Sequence, residues 1–253
     1  MIMLLDIGNT LTKIATYNIK TNKITNYASF LTCKKKTIVN IIKYKKQKLI
    51  KHALVSSVVP NVYNVIKNIL KKNKIKVYEF QEKKIKKSMK INVNKKFQVG
   101  SDRVLNAIGG ISYYKKNCII LDFGTTTTFD IADNNNVYQG GVIAPGINLS
   151  LRSLNKFTAK LPLIKISPQS NVVGKDTKSA INSGIYIGYS CLINGILEKI
   201  IKQTKKKYLV ILTGGYSRIF KKKIKFKSVI NKNITFYGLA MTVKQNKKVF
   251  DHV

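Results

Sequence analysis

The sequence predicts an α/β protein of two similar halves with a cleft between them, and three observations point there. An apolar run ending in Asp and a tight Gly turn occurs twice, as Leu4-Leu5-Asp6-Ile7-Gly8-Asn9-Thr10 and, 116 positions later, as Ile120-Leu121-Asp122-Phe123-Gly124-Thr125-Thr126. Strand-like and helix-like patterns follow each copy in a similar order. The 253 residues, 44% of them hydrophobic, suffice for a core and are long for one compact domain.

The elements follow in order. Alternation and turn dipeptides predict strands at 3–6, 13–17 and 24–30, joined as hairpins. A basic helix fits 34–48. A buried strand at 53–59 stops at Pro60, and a helix over 61–72 places Val62, Val65, Ile66 and Ile69 on one face. A strand fits 75–80, a Lys-rich loop 81–98, and a helix 102–114 with Val104, Leu105, Ile108 and Ile111 inward. The second half repeats the plan: strands at 118–122, 127–133 and 137–143, helices at 147–157 and 180–202, and a strand at 209–212 leading to Thr213-Gly214-Gly215. Residues 235–240 lead into a last helix. The boundary is expected near residue 115, giving domains 1–115 and 116–253, and no Pro/Gly/Ser linker separates them.

Composition excludes several classes. The apolar runs at 53–59 and 185–193 fall short of the roughly 20 residues that span a bilayer. Residue 6 is already Asp and no basic leader precedes it, so no signal peptide is expected. Cys33, Cys118 and Cys191 are odd in number and scattered without the paired spacing of zinc sites, and His52 and His252 are the only histidines, so no structural disulfide, zinc centre or Ser-His-Asp triad is expected. Reducing cytoplasm is the expected home. The net charge is +37, but of 47 basic residues only Arg103, Arg152 and Arg218 are arginine. Base readout favours Arg and interleaved aromatics, so the Lys runs read as solvated surface, with no specific nucleic acid and no membrane partner. Acids are scarce, ten in all, yet Asp6, Asp102, Asp122 and Asp130 lie in or beside Gly-containing turns.

Those turns carry the chemistry. A Gly turn with Asn9, Thr10 and, three residues on, Lys13 offers hydrogen-bond donors and a positive charge to phosphates, while Asp6 can hold Mg²⁺. The second copy adds the hydroxyls of Thr125 to Thr128, and facing copies would grip a nucleotide from both sides. Gly100-Ser101-Asp102-Arg103 sits where a loop becomes a helix. Ser101 or Asp102 can serve there as an ordinary cap. Alternatively Asp102 is a general base and Arg103 a carboxylate clamp. A carboxylate at a helix N-terminus is stabilised as the anion.

These segments resemble type III pantothenate kinase, of the acetate kinase/sugar kinase/Hsp70/actin superfamily, nearly end to end. The resemblance runs through Asp6 to Thr10 with Lys13, Val55 to Pro60, Gly100 to Arg103 with Asn106, and Asp122 to Thr125 with Thr127, Thr128 and Asp130. It continues through Gly140 to Gly146, Leu161-Pro162, Gly174 with Thr177, Ser183 to Ile185, Thr213 to Gly215 and Gly238-Leu239. It implies two ribonuclease H-like domains of actin/sugar-kinase type and ATP-dependent phosphorylation of pantothenate, the first committed step toward coenzyme A. Asp6, Ile7, Gly8, Asn9, Thr10, Leu11, Thr12, Lys13 and Thr125 would then contact ATP. Gly100, Ser101, Asp102 and Arg103 would bind pantothenate, with Asp102 as the catalytic proton acceptor. Asp122 would hold a monovalent cation, K⁺ or NH₄⁺, and Thr177 would reach the substrate across a homodimer interface. Where the family has Tyr-x-x-Pro upstream of Gly100, this chain has Val93 and Lys96, so the aromatic wall at the Val93 substrate position is absent or supplied elsewhere, as by Phe97.

Two other readings stand beside this one. A non-catalytic, transcription-associated member of the same family would bind nucleic acid through the Lys-rich surface. A kinase for another small alcohol, such as a sugar, is the other, against which Arg103 beside Asp102 argues for a carboxylate-bearing acceptor.

Overall fold

Six consecutive buried residues form the first strand, β1 (Ile2–Ile7), which leads straight into the first Asp–Gly turn. The computed structural model describes residues 1–32, 41 and 50–250, so the basic helix expected at 34–48 lies outside the described residues. The chain divides into two units: Met1–Lys115 with Asn135–Gln139 and Asn233–Val253, and Lys116–Asn134 with Gly140–Lys232. The C-terminal segment thus clusters with the first unit.

In the first unit β2 (Leu11–Asn18) and β3 (Lys23–Leu31) continue from β1 as antiparallel hairpins, and β4 (His52–Ser57) and β5 (Lys76–Glu79) add in parallel on the other side. The order is β3-β2-β1-β4-β5. Helix α1 (Pro60–Lys72) begins with Pro where no donor is needed and lays Val62, Tyr63, Ile66 and Leu70 on one face of the sheet, against Met3, Leu5, Ile7, Ile14 and Val55. The other face meets α2 (Ser101–Tyr114) and α6 (Ile234–Gln245), which touch β4 and β1. These two helices approach backbone to backbone at Gly109 and Gly238, where a Cβ would stand 2.1 Å from the carbonyl oxygens of Ile234 and Leu105 respectively. Thr235 Oγ1 donates to Asn106 Oδ1 across the same contact, 2.7 Å. The loop expected at 81–98 contains a two-residue strand, β6 (Lys90–Ile91), paired in parallel with Val137 and Tyr138.

The second unit contains β7 (Cys118–Phe123), β8 (Thr126–Asp133), most of β9 (Val137–Pro145), α3 (Ile147–Lys156), α4 (Thr177–Thr204), β10 (Leu209–Gly214), the short α5 (Ser217–Phe220) and β11 (Ser228–Ile230). Its strand order, β11-β10-β7-β8-β9, repeats that of the first unit: a hairpin on one side of the first strand, parallel strands on the other. The internal repeat in the sequence is therefore a repeat of topology. One face of the sheet, bearing Leu121, Phe123, Phe129 and Leu212, packs on Ile185, Tyr189, Ile193 and Leu197 of α4. At 28 residues α4 is long and apolar enough to cross a membrane, unlike the shorter runs read from the sequence, but more than half of its apolar window is buried as the core helix of this unit.

Candidate active site

Each unit carries a three-residue row of polar side chains at the equivalent register beside its Asp–Gly turn. Residues in register on neighbouring strands point to one face of a sheet. In the first unit Asp6 pairs with Lys13 on β2 and with Ser56 on β4, giving the row Lys13–Asp6–Ser56. Asp6 is 7% exposed, and Lys13 Nζ stands 3.9 Å from its Oδ2. Ser56 Oγ shares a 2.9 Å hydrogen bond with Ser101 Oγ, which joins the strand end to the first turn of α2. That buried link was not assigned a role from sequence; its signal was the Ser56-Ser57 pair ending a strand, where most strand positions are apolar.

The turn itself is closed by a bond from Gly8 N–H to the Leu11 carbonyl, 3.0 Å, with Thr32 Oγ1 donating to the Gly8 carbonyl. Asn9, Thr10 and Leu11 are exposed at its tip. Ile7 and Thr12 lie on the opposite, core-facing side, fully buried, and Thr12 Oγ1 is engaged with Thr32 Oγ1 at 2.9 Å. Their side chains are committed to the core, leaving only their main chain toward the turn. Asn9, Thr10 and Leu11 are therefore the turn's exposed side chains, with Asp6 and Lys13 side by side on the strands beneath them.

At the start of α2, Arg103 N–H donates to Asp102 Oδ1 at 2.9 Å. Gly100 is required beneath that carboxylate, because a Cβ there would meet Asp102 Oδ1 at 2.6 Å. Gly100 makes no side-chain cap, and Asp102 and Arg103 are both half-buried. Val93 is also half-buried, whereas Phe97 is 82% exposed.

In the second unit Asp122 pairs with Thr128 on β8 and Thr213 on β10, so the equivalent row reads Thr128–Asp122–Thr213. Thr128 Oγ1 donates to Asp130 Oδ2 at 3.2 Å, and both residues are buried. Thr213 is 1% exposed and its hydroxyl has no partner, as is also true of Thr127 Oγ1. A buried hydroxyl left unsatisfied costs about 1–3 kcal/mol. Gly214 adopts φ +81°, and a Cβ there would lie 2.6 Å from Asp122 Oδ1, so glycine keeps the carboxylate's surroundings open. Gly146 likewise lets the Thr125 carbonyl approach, within 2.0 Å of where its Cβ would be. Thr125 itself is exposed.

Thr177 opens α4. The preceding Asp176 caps it, accepting from Lys178 N–H at 2.9 Å and Ser179 N–H at 3.0 Å, and Ser179 closes the reciprocal capping box. The Ser179 backbone bond, then its hydroxyl, hold the Asp176 carboxyl below its usual range. A depressed carboxylate contributes stability above its unfolded value, near 4, and loses it as pH falls through the folded value. Asp176→Ala is therefore expected to lower the melting temperature at neutral pH, with the gap to the parent closing in acid. Thermal melts across that range check this; a gap independent of pH would contradict it.

The type III pantothenate kinase family profile matches residues 2–199. A type III pantothenate kinase of Pelagibacter ubique is 44% identical over 246 residues, covering 94% of this chain and 97% of that protein. One from Listeria monocytogenes is 30% identical, covering 98% of each. Among solved structures, the activator of 2-hydroxyisocaproyl-CoA dehydratase from Clostridium difficile with bound ADPNP superposes with a TM-score of 0.59 at 13% identity, over 99% of this chain and 97% of that one. A Campylobacter jejuni protein assigned to a Baf family of transcriptional activators gives 0.63 at 19%, over 97% and 99%. At such identities these structures show the fold, that of the actin/sugar-kinase class, in two α/β halves. The chain belongs to the type III pantothenate kinase family and is a kinase.

Proposed function

We propose that this protein transfers the γ-phosphoryl group of ATP to the primary hydroxyl of pantothenate, opening coenzyme A synthesis, with Asp102 as proton acceptor. The observation that carries the residue assignment is the carboxylate of Asp102 at the first turn of α2, seated over Gly100 and tied through Ser101 to Ser56 in the Asp6 row. As the hydroxyl oxygen bonds to the γ-phosphorus, its proton passes to Asp102. The bond from phosphorus to the β–γ bridging oxygen breaks, and ADP leaves with that electron pair. Arg103 pairs with the pantothenate carboxylate, and Gly100 and Ser101 complete that end of the acceptor site. Lys13 neutralises phosphate charge, and Asn9, Thr10 and Thr125 donate to phosphate oxygens. Holding the reactants in line supplies most of the acceleration.

Mg²⁺ and a monovalent cation, when bound, offset the charge on the transferring phosphates. Among the described residues no cluster of three or more metal-binding side chains exists, which suits Mg²⁺ carried on ATP with Asp6 as a single protein carboxylate. The residues around Asp122 fit a monovalent cation, since an orphaned hydroxyl and a glycine-opened space adjoin it.

A homodimer is supported by the second unit, where Phe157, Leu163, Val172 and Val173 are 56–78% exposed in the stretch leading to Thr177. Thr177 then serves the substrate of the partner subunit. The free thiols Cys118 and Cys191 accord with a cytoplasmic home. The transcription-associated reading gains nothing from the Lys excess, given three arginines and a kinase match along the chain. The test is ADP release with ATP, Mg²⁺ and K⁺. Release that depends on pantothenate supports the assignment, and release indifferent to pantothenate overturns it.

A further inference from the structure

A basin in the first unit, at the far end of the parallel strands from Asp6, carries charge that the phosphoryl-transfer residues do not use. Across β1, β4 and β5 the register there reads Ile2–His52–Lys76, whereas Asp6 lies near the other end of β1. The basin, about 580 Å³, is lined by Lys67 and Lys71 of α1, Lys74 just beyond that helix, Lys76 of β5 and Lys84 of the following loop. Glu82 is the single acid among the described residues of its wall, so five lysines less one glutamate leave a net charge of +4. The volume falls within the roughly 300–1,000 Å³ of ordinary ligand sites. A concave surface of one sign concentrates counter-ions more than scattered charge does.

Two of these ammonium groups are anchored. Lys84 Nζ lies 4.5 Å from the ring centroid of Tyr78 and 3.1 Å from Glu82 Oε2, and Lys67 Nζ lies 5.3 Å from the ring centroid of Tyr63. Lys71, in the last turn of α1, also answers the helix dipole, but Lys76 and Lys84 stand on a strand and a loop and have no such role. At about 1.5 Å per residue, Lys67 and Lys71 are about 6 Å apart along the helix axis, and Lys74 extends the line. A lone phosphate ion would reach only part of that line, whereas a chain of phosphates would follow it. β5 is the edge strand, and its Lys76 and Phe80 N–H groups donate inward to the Lys51 and Val55 carbonyls. Alternation turns the Val77 N–H outward to the open edge, a main-chain donor beside the lysines. Lys84 covers the Tyr78 ring and no arginine is among the described wall residues, so the basin offers neither a stacking platform nor base readout. We propose that the basin binds a linear chain of phosphates, with inorganic polyphosphate as its occupant. This site goes beyond the kinase reading and does not rest on it.

The test is calorimetry on the full chain, without ATP or pantothenate, against polyphosphate, orthophosphate and a single-stranded oligonucleotide of equal phosphate number. One variant combines Lys67→Gln, Lys71→Gln and Lys76→Gln. A control that removes the same charge combines Lys199→Gln, Lys202→Gln and Lys207→Gln, all exposed in the second unit. The basin triple should bind polyphosphate about tenfold or more weakly, with a log–log salt slope shallower by about 2 (three lysines at roughly 0.7 each), and the control should change neither. Glu82→Gln keeps the Oε1 that accepts from Glu79 N–H at 3.0 Å but removes the basin's acid, so it should tighten polyphosphate binding about twofold or more. Four results overturn the proposal: no polyphosphate binding by the parent, equal losses in both triples, no tightening in Glu82→Gln, or orthophosphate or the oligonucleotide bound as tightly as polyphosphate. Because no nucleotide or acceptor is present, failure here is distinct from failure of the kinase assignment, which ADP release reads.

Discussion

Asp102→Asn is expected to lower kcat by about 10²–10⁴-fold, the range a general base supplies, while leaving the KM for ATP nearly unchanged. Asn keeps the shape and the bond from Arg103 N–H to Oδ1, 2.9 Å in the parent, but cannot take the hydroxyl proton. The split between kcat and KM separates lost chemistry from lost binding. Steady-state kinetics at saturating ATP reads it directly. A variant within threefold of the parent would mean that Asp102 serves α2 as a structural residue and that the proton leaves by another route.

Gly109→Ala is the second large effect. The added methyl would sit 2.1 Å from the Ile234 carbonyl oxygen and 3.0 Å from the Gly238 nitrogen, both main-chain atoms of α6 that cannot rotate away. Moving two helices apart at their closest point is expected to cost about 3 kcal/mol, the upper range for overpacking. Because α2 carries Ser101 and Asp102 at its other end, turnover should fall as well. Gly195→Ala provides the contrast: it lies inside α4 with nothing within 4 Å of the new methyl, so the gain in helix propensity should add about 0.5–1 kcal/mol. Urea denaturation of both variants checks the pair; equal stabilities would contradict the close-approach argument.

Much of this was legible in the residues. The three opening strands, α1, α2 and the strands around Asp122 appear within a few residues of their expected bounds because each carries strong alternation or a Pro or Gly stop. Thr177 at a helix start was outside the expected 180–202, since the capping box Asp176–Ser179 is a short-range signal that a purely apolar pattern overlooks. The three-residue β11 and two-residue β6 are held by their sheet neighbours and have too little periodicity of their own. The paired Asp turns announced themselves, but the rows beside them did not. Lys13–Asp6–Ser56 and Thr128–Asp122–Thr213 are products of strand register, which joins positions far apart in the chain. Gly109 and Gly238 were equally silent, each sitting in an ordinary helical pattern until a neighbouring backbone is placed against it. Period-two alternation turns the side chains of Ile7 and Thr12 into the core, a detail that the family resemblance naming them as ATP contacts does not specify.

In the proposed reaction the acceptor brings its own carboxylate to Arg103 and its hydroxyl to Asp102. The most direct measurement offers the purified protein ATP, Mg²⁺ and K⁺ with pantothenate, with pantothenyl alcohol, which lacks the carboxylate, and with a set of sugars, and reads the products by mass. Phosphorylated pantothenate as the dominant product, with the alcohol much poorer and the sugars untouched, is the predicted result. Phosphorylation of a sugar in preference to pantothenate, or of both pantothenate forms equally, would contradict it.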